Sequence, residues 1–379
     1  MKLETFQHKM GIGWSLDAFP SLDSEQTLLL VFASPEYLKD DEAILQLREA
    51  YPNSHIVGCS SSGEIFGNKV SDRSLSVAAA KFEKGTVATA VTEVSEISDS
   101  LAAGATLAKQ LHRDDLRGVF VLSDGLHVNG SELVKGLNSV LPEGVTVTGG
   151  LAGDGDRFQE TWIIQNGEPR TGVICAIGLY GEHLHIGHGS KGGWDRFGPE
   201  RSITRSSGSV LYELDGKPAL ELYRKYLGDR ATGLPATGLL FPLSIRADST
   251  DERRLVRTIL AIDDDEQSMT FAGDVPTGWK AQLMSANFDR LVGGASDAAT
   301  MIGVSNPHAA TLAIAISCVG RRLVLGERTE EEVEATLDIL PTGAKQVGFY
   351  SYGEISPFAS GACDLHNQTM TLTTISEAA

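Results

Sequence analysis

The hydrophobic and polar positions of the first 150 residues form alternating strand-like and helix-like segments. Continuous apolar runs of five to nine residues are typical of buried strands, and apolar positions at helical spacing indicate helices. The predicted strands are 27–33, 55–59, 74–82, 86–94, 117–123 and 145–149, and the predicted helices are 36–51, 99–111 and 130–141. The turn 83–85 would join the third and fourth strands directly.

Beyond residue 150 the pattern becomes one of short strands separated by turns, with fewer helices. Short runs bounded by Gly, Asn and Asp are typical of antiparallel strands. The predicted strands are 160–166, 173–180, 184–189, 255–263, 268–273, 311–319, 344–350 and 370–375, and the predicted helices are 211–227, 284–299 and 329–337. A second half begins near Gly228.

Three segments share the order strand, helix, strand and glycine-containing loop. The first ends Val57-Gly-Cys-Ser-Ser-Ser-Gly-Glu-Ile65 and the last ends Val347-Gly-Phe-Tyr-Ser-Tyr-Gly-Glu-Ile355, so both reach Gly-Glu-Ile at the same offset. The middle segment, which ends Val147-Thr-Gly-Gly-Leu-Ala-Gly-Asp154, matches less closely. We interpret these endings as duplicated architecture; the alternative is a chance likeness between strands that end in glycine loops. The predicted fold is α/β (mixed α+β), with two intimately packed modules and internally duplicated strand–helix–strand units.

Charge and cysteine usage exclude several classes of protein. Lys plus Arg is 32 and Asp plus Glu is 50, which gives a net charge of −18 and disfavours nucleic acid and anionic membranes as partners. No apolar run approaches the ~20 residues of a membrane span, and we see no secretory leader at the N-terminus. The four cysteines stand alone, which fits neither a zinc motif nor a disulfide framework. These features predict a cytoplasmic protein.

Two nucleophile-like features precede Glu64. Cys59 and Ser60 lie at the exit of a predicted strand, but the loop lacks the spacing of a nucleophile elbow. Side chains that cap a turn, or face a ligand, are the favoured interpretation. The alternative is a hydrolase or thiol enzyme that uses Cys59 or Ser60. The run Gly187–Gly192 spells G-x-G-x-x-G, but no helix is predicted after it, so we reject a dinucleotide site.

Histidines suggest a second kind of chemistry. His183, His185 and His188 are close enough in sequence to bind zinc, or one of them to bind haem iron. The alternative is that they are ordinary strand residues. His188 is the first candidate for an axial ligand because glycines flank it in a predicted turn, with Trp194 and Phe197 beyond. His366 is the second.

Taken together, seven short motifs make the chain resemble the FIST family of sensory proteins. They are Gly58-Cys-Ser-Ser-Ser-Gly-Glu64, Gly149-Gly-Leu-Ala-Gly-Asp154, the segment 189–199, Glu213-Leu-Asp-Gly-Lys-Pro-Ala-Leu220, Ser317-Cys-Val-Gly-Arg321, Gly348-Phe-Tyr-Ser-Tyr-Gly-Glu354 and His366-Asn-Gln-Thr369. The resemblance implies an N-terminal module at 25–226 and a C-terminal module at 227–375. It also implies a bacterial input module, without enzyme activity, that binds a small ligand such as an amino acid.

Some stand-alone members resemble haem-binding nitric-oxide sensors of two-component systems, so haem and nitric oxide stay open as ligands. The implied partner is a separate signalling protein, such as a histidine kinase or a cyclic-dinucleotide enzyme.

Equivalent loops of duplicated units tend to lie at the same end of their sheets, where ligands of α/β proteins bind. We therefore expect the loops 58–64, 149–154 and 348–354 to surround one pocket, with Glu354 the residue most important for a cationic ligand. A scaffold without a ligand is the remaining alternative. The predicted ligand-binding residues are Cys59, Ser60, Ser62, Glu64, Gly149, Gly150, Asp154, Tyr350, Tyr352, Glu354 and Asn367.

Overall fold

The computed structural model describes residues 1–251, 253–303, 309–357 and 362–378. The strands are β1 Lys2–Lys9, β2 Gly13–Trp14, β3 Thr27–Ala33, β4 His55–Ser60, β5 Glu64–Phe66, β6 Lys69–Ser71, β7 Ser74–Lys81, β8 Thr86–Glu93, β9 Leu116–Ser123, β10 Thr146–Leu151, β11 Ile163–Gln165, β12 Glu168–Arg170, β13 Val173–Tyr180, β14 Leu184–Lys191, β15 Asp195–Ser207, β16 Val210–Leu214, β17 Lys217–Pro218, β18 Leu243–Arg246, β19 Leu255–Arg257, β20 Ile259–Asp263, β21 Ser268–Phe271, β22 Lys280–Ser285, β23 Thr311–Cys318, β24 Lys345–Ser351, β25 Gly353–Pro357, β26 Cys363–His366 and β27 Met370–Glu377. The α-helices are α1 Glu42–Ala50, α2 Ser100–Leu111, α3 Gly130–Asn138, α4 Ala219–Leu227, α5 Phe288–Ile302, α6 Val319–Leu325 and α7 Thr329–Ile339.

Three of the four sheets share one strand arrangement. Their orders are β12-β11-β4-β3-β7-β1-β2 in the first sheet, β26-β25-β10-β9-β13-β8 in the second and β6-β5-β24-β23-β27-β14 in the third. Each has a parallel pair at its centre, namely β3 with β4, β9 with β10, and β23 with β24. Each pair is joined by a helical crossover, as parallel pairing requires. The structure is thus a mixed α/β protein built from repeated strand–helix–strand units, as the sequence predicts.

Each unit gives its hairpin to another unit's sheet. The hairpin β5–β6 follows β4 in the chain but pairs with β24 of the third sheet. The hairpin β11–β12 follows β10 but pairs with β4 of the first sheet. The hairpin β25–β26 follows β24 but pairs with β10 of the second sheet. The three exchanges form a closed cycle, so no unit completes its own sheet.

The inner faces of the three sheets bury one shared hydrophobic core. Phe32 of the first sheet stacks on Phe349 of the third, with ring centroids 4.8 Å apart. Phe120 of the second sheet belongs to the same cluster. Helices cover the outer faces: α1 lies on the first sheet, α2 and α3 on the second, and α5 and α7 on the third. Among the described residues, no helix is both long and apolar enough to cross a membrane.

A glycine occupies the same place in each parallel pair. A Cβ atom at that glycine would lie only 1.8–1.9 Å from the carbonyl oxygen of the residue paired with it, so the strands require a residue without a side chain there. The pairs are Gly58 with Val31, Gly149 with Val121, and Gly348 with Ala315. These glycines set the structural correspondence between the three units. The middle glycine lies one residue later after its valine, which explains the looser match in sequence.

The fourth sheet is an insertion into the third unit, between β14 and α5. Its order is β19-β18-β22-β15-β16-β21-β20, with β17 paired to β16, and it packs with α4 around a separate core. This sheet contains strands from both sides of the boundary expected between residues 226 and 227. That boundary stays a prediction, and the fold is continuous across it.

The strands expected at 74–82 and 86–94 are present and are joined by the turn 83–85, although they belong to different sheets. Two predicted helices are interrupted in the structure. The helix expected over 211–227 is a strand followed by α4, because Asp215 and Gly216 adopt positive φ angles of 51° and 72° that form a tight turn. The helix expected over 36–51 is a short 3₁₀ turn followed by α1, since Asp41 lies outside helical geometry.

We expect Gly58→Ala and Gly348→Ala each to lower the free energy of unfolding by about 1–3 kcal/mol, because the new methyl group would overlap a backbone carbonyl that cannot move without breaking the parallel pair. Urea unfolding measures the change. Gly293→Ala is the matched control: its Cβ would meet open space on α5, and it should stabilise the protein by about 0.5–1 kcal/mol. Stability like that of the wild type in Gly58→Ala would contradict the geometry.

Candidate functional site

The three strand exits meet and bond to one another. The amide of Ser62 donates to the carbonyl of Tyr350 at 2.8 Å, and the amide of Tyr350 donates to Gly63 at 2.9 Å. The amide of Gly153 donates to Ser60 at 3.1 Å. The structure therefore brings the loops 58–64, 149–154 and 348–354 together at one end of the three sheets.

Beside these loops lies a cavity of about 780 Å³, here called the strand-exit cavity. All three units contribute to it: the 3₁₀ turn after β3 and the hairpin β5–β6 come from the first, the loop after β10 from the second, and α6 with the start of α7 from the third. Among the residues expected from sequence, Ser62, Glu64 and Asp154 line it. Its charged residues are Glu36, Glu64, Asp72, Asp154, Asp156, Glu327 and Glu330, with Arg73, Arg157 and Arg322.

Glu64 is the buried carboxyl group of this cavity. It is 2% exposed and accepts hydrogen bonds from the amide and the hydroxyl of Ser74, at 3.1 and 2.8 Å. Burial raises the pKa of Glu64 to about 8, although the hydrogen bonds from Ser74 and Ser61 favour the ionised form. Its carboxyl group is therefore mostly protonated at neutral pH, and a cationic ligand would favour its ionised form.

Two of the three guanidinium groups on the cavity wall are paired with carboxylates. Arg322 forms a bidentate pair with Asp72, at 2.7 and 2.8 Å. Arg157 lies 2.9 Å from Glu36. Because these pairs cancel, the remaining carboxyl groups leave the cavity with an excess of negative charge.

Asp154 holds the loop after β10 in place through its hydrogen bonds. Its carboxylate accepts the amides of Phe158, Gln159 and Glu160, each at 2.9 Å, and the hydroxyl of Tyr352. Burial opposes ionisation, but these hydrogen bonds prevail and hold the pKa of Asp154 below its ordinary value. Tyr352 also stacks on Phe158, with centroids 4.5 Å apart. Asp154 therefore orders the loop that forms one wall.

Glu354 has the same local environment as Glu64 but does not line this cavity. It accepts hydrogen bonds from the amide and hydroxyl of Thr369 at 3.2 and 2.9 Å, as Glu64 does from Ser74. Ser351 donates to it at 2.8 Å. Burial raises the pKa of Glu354 to about 8. The two glutamates are thus structural equivalents in two units, and only one of them lies on the cavity wall.

The remaining expected ligand residues are buried and do not line the cavity. The thiol of Cys59 lies in the central core, where burial first and the nearby Glu64 second raise its pKa well above the ordinary value. Ser60 accepts the amide of Trp162 at 3.1 Å. The hydroxyl of Tyr350 donates to Glu332 at 2.6 Å. Asn367 donates to the carbonyl of His366, and Gly149 and Gly150 are in β10. A fully buried thiol with a raised pKa is the opposite of an activated nucleophile.

The expected turn at His188 is wrong: the residue is inside β14, paired with Thr373. Its flanking glycines do not make room for a flat cofactor. A Cβ at Gly189 would lie 1.9 Å from the carbonyl of Ala298, so helix α5 already occupies that space. Trp194 donates to the carbonyl of Gln368 instead.

His188 itself borders a different cavity of about 640 Å³, whose apolar lining includes Leu141, Val145 and Val147. Its Nδ1 atom is buried and has no hydrogen-bond partner among the described residues. His366 is fully enclosed, and its Nε2 atom lies 2.9 Å from the carbonyl of Ser356. Within the described ranges, no three His, Cys, Asp or Glu side chains are grouped to hold a metal ion. The zinc alternative therefore has no support there.

The charged wall of the strand-exit cavity was missed by sequence reasoning. Asp72, Arg157, Arg322 and Glu330 occupy separate elements, and no motif joins them. Lys69 of β6 binds Glu330 of α7 at 2.9 Å only because β5–β6 is donated to the third sheet. The sequence had pointed to Glu64, through its Gly-Glu-Ile repeat, and to Ser62 and Asp154 of the glycine-containing loops, but not to these four charged residues.

Small ligands of α/β proteins bind preferentially in concave sites at the ends of the sheet strands, which is where this cavity lies. Comparison with protein-family models agrees: the FIST N domain matches residues 27–217 and the FIST C domain matches residues 219–357. The chain belongs to the FIST family, whose domains bind small ligands in signal transduction. A search of curated proteins found no match.

The two buried glutamates make stability depend on pH. Their folded pKa of about 8 exceeds the ordinary 4.5, so the folded protein binds more protons than the unfolded chain between those values. The contribution of these two groups to the free energy of unfolding is complete below pH 4.5. As the pH rises toward 8 that free energy falls by about 1.4 kcal/mol per pH unit for each group.

Urea unfolding between about pH 5 and 8 should show this slope reduced in Glu64→Gln, and reduced further when Glu354→Gln is added. Glu330→Gln, which changes a partly exposed carboxylate of the same cavity, is the control. It should leave the pH dependence of the free energy of unfolding unchanged. An identical pH dependence in the wild type and the double variant would contradict the assignment.

Proposed function

We propose that this protein is a sensor that binds a small amine-bearing ligand, such as an amino acid, in the strand-exit cavity. The observation that carries the proposal is the buried carboxyl group of Glu64 on the wall of an acidic cavity. An ammonium group beside Glu64 would compensate its charge, and Asp154 would keep the neighbouring wall in place. Family membership supports the sensory role.

The way in which the cavity is built supports a signalling role without catalysis. Its walls come from three units that exchange hairpins, so a ligand there contacts all three at once. Ligand binding would favour one arrangement of these units over others, which is how a binding site controls a distant surface. The proposed signalling partner is a separate protein, such as a histidine kinase or a cyclic-dinucleotide enzyme. All four cysteines are free thiols, which supports a location in the reducing cytoplasm.

The first test is thermal-shift measurement with L-lysine and L-glutamate as probes, beside native mass spectrometry of freshly purified protein. We expect L-lysine to raise the melting temperature and L-glutamate to have no effect. The increase in melting temperature caused by L-lysine should become larger as the pH rises toward 8. At that pH part of the Glu64 carboxyl groups are already ionised, so binding of an ammonium group need not be coupled to the release of a proton.

Glu64→Gln should weaken the binding of L-lysine by about tenfold or more, through loss of a charge-assisted hydrogen bond. Glu354→Gln is the matched control, with an equivalent buried carboxyl group outside the cavity wall. The sequence alone favours Glu354 as the ligand residue, so this pair of variants separates the two assignments. Equal binding by wild type and Glu64→Gln would contradict the proposal.

The second candidate function is a haem-binding nitric-oxide sensor, with His188 as the iron ligand. One observation favours it: the Nδ1 atom of this imidazole, at the wall of a partly apolar cavity, has no hydrogen-bond partner in the part of the chain that the structure describes. A neutral imidazole can supply the axial bond to haem iron. The residues Leu141, Val145 and Val147 would pack against an apolar macrocycle.

Reconstitution with haem tests this candidate. We expect a Soret band in the wild type that is lost or displaced in His188→Ala. His185→Ala, on the same strand but exposed, should leave the band unchanged. His366→Ala tests the second choice of ligand. A band of equal position and intensity in wild type and His188→Ala would exclude His188, and no band in any variant would leave the amine sensor as the proposed function.

A further inference from the structure

A second large cavity of about 690 Å³ lies between the inserted fourth sheet and α5. We call it the basic cavity and define it by Ser190, Lys191, Arg196, Ser244, Arg254 and Arg290. It shares no lining residue with the strand-exit cavity. Its walls come from the end of β14, from β15, β18 and β19, and from α5.

Positive charge in this cavity is only partly compensated. Arg290 is paired with Asp195, and Arg253 with Asp251. By contrast, the side chains of Lys191 and Arg196 have no hydrogen bond or ion pair with any described residue. Of the two acidic residues on the wall, Asp289 is bound to Arg328 at 2.7 Å, and Asp297 lies two turns further along α5. The protein carries a net charge of −18, so this local excess of cations runs against the composition of the chain.

Within the described part of the chain, Arg254 forms only a long ion pair, with Glu200, although part of its guanidinium group is buried. Its buried NH1 atom has no hydrogen-bond partner among the described residues and lies 3.6 Å from Glu200, beyond hydrogen-bond reach. That carboxylate is already held by Arg246 at 2.7 and 2.9 Å. Burial, together with the charges of Arg196 and Arg246, lowers the pKa of Arg254, and Glu200 offsets this only in part. An anion beside Arg254 would relieve both the desolvation and the repulsion.

Two buried hydroxyl groups on the same walls also lack partners. The Oγ atoms of Ser190 and Ser244 are both buried and make no hydrogen bond with a described residue. Ser244 is only 1% exposed, so its hydroxyl cannot be satisfied by bulk water. Buried polar groups without partners are rare and call for an explanation. Arginine side chains are common partners of carboxylate and phosphate oxygens, and a serine hydroxyl on the wall of the same cavity is a further donor.

We propose that the basic cavity is a second ligand site, which binds an oxyanion such as a phosphate or carboxylate group through Arg254, Arg196 and Ser244. The site goes beyond the amine-binding function proposed above and does not depend on it. Its position between the inserted sheet and α5 means that a bound anion would bridge the insertion and the third unit.

The test is isothermal titration of the full chain with inorganic phosphate and, separately, with succinate, both at constant ionic strength. We expect saturable binding of at least one probe. Binding of phosphate alone assigns a phosphate ligand, binding of succinate alone assigns a carboxylate ligand, and binding of both assigns a general oxyanion site. Binding of neither probe would overturn the proposal.

Arg254→Gln should weaken binding by about tenfold or more, because it removes a charge-assisted hydrogen bond. Ser244→Ala should weaken binding several-fold. Both variants should be about as stable as the wild type without ligand, since among the described residues Ser244 makes no side-chain hydrogen bond and Arg254 makes only a 3.6 Å ion pair with Glu200. This combination separates loss of the site from loss of the fold.

Two control variants complete the experiment. Arg205→Gln removes the same charge from an exposed position on β15 that is paired with Glu213, and should bind the anion normally. Glu64→Gln should also bind the anion normally. The anion result can therefore be interpreted even if the proposed amine site is wrong. Equal affinity in wild type and Arg254→Gln would overturn the proposal.

Discussion

The exchange of hairpins among three units is the constraint on which the rest of the structure depends. Each parallel pair would present an unpaired strand edge on β4, β10 or β24 if its neighbour's hairpin were absent. An exposed edge of this kind pairs readily with other chains. Here each edge is covered within the same molecule, and the covering hairpin arrives from a different unit. The central core, the joined strand exits and the strand-exit cavity all require the three exchanges together.

Gly58, Gly149 and Gly348 each allow the two parallel strands of a unit to approach closely, and these strands include β4, β10 and β24. This close approach brings the two parallel strands of each unit together just before they leave the sheet. The following residues then meet their counterparts from the other units. A local requirement for a residue without a side chain thereby positions loops that are about 300 residues apart in sequence.

Sequence patterns predicted the repeated units because their evidence is local. The buried strands are continuous apolar runs, and Gly-Glu-Ile returns at equal offset after Val57 and Val347. The hairpin exchange could not be predicted in this way, since β5 and β11 pair with strands distant in the chain. The same applies to the site. Glu64 carries a repeat signal, whereas Asp72 and Arg322 become neighbours only through the exchange. The basic cavity depends on an insertion whose strand β15 the sequence did not predict.

Glu64 and Glu354 show how equivalent positions can differ in role. Both are buried, and both are held by a hydroxyl and an amide at the start of the following strand. Only the first borders the strand-exit cavity, because the elements beyond it differ: the hairpin β5–β6 faces α6 and α7, while β25–β26 faces α3. The repeated framework is thus compatible with different surroundings for two equivalent glutamates in a single chain.

The cyclic order of the exchange has a consequence for symmetry. Unit one donates to unit three, unit three to unit two, and unit two to unit one, so the ring closes after three steps. Head-to-tail contacts that close in this way generate a cyclic assembly. A shorter protein with one such unit would therefore reach the same architecture as a homotrimer with three identical sites. In the present chain the three units are joined covalently, so equivalent positions need not carry the same residue or the same surroundings.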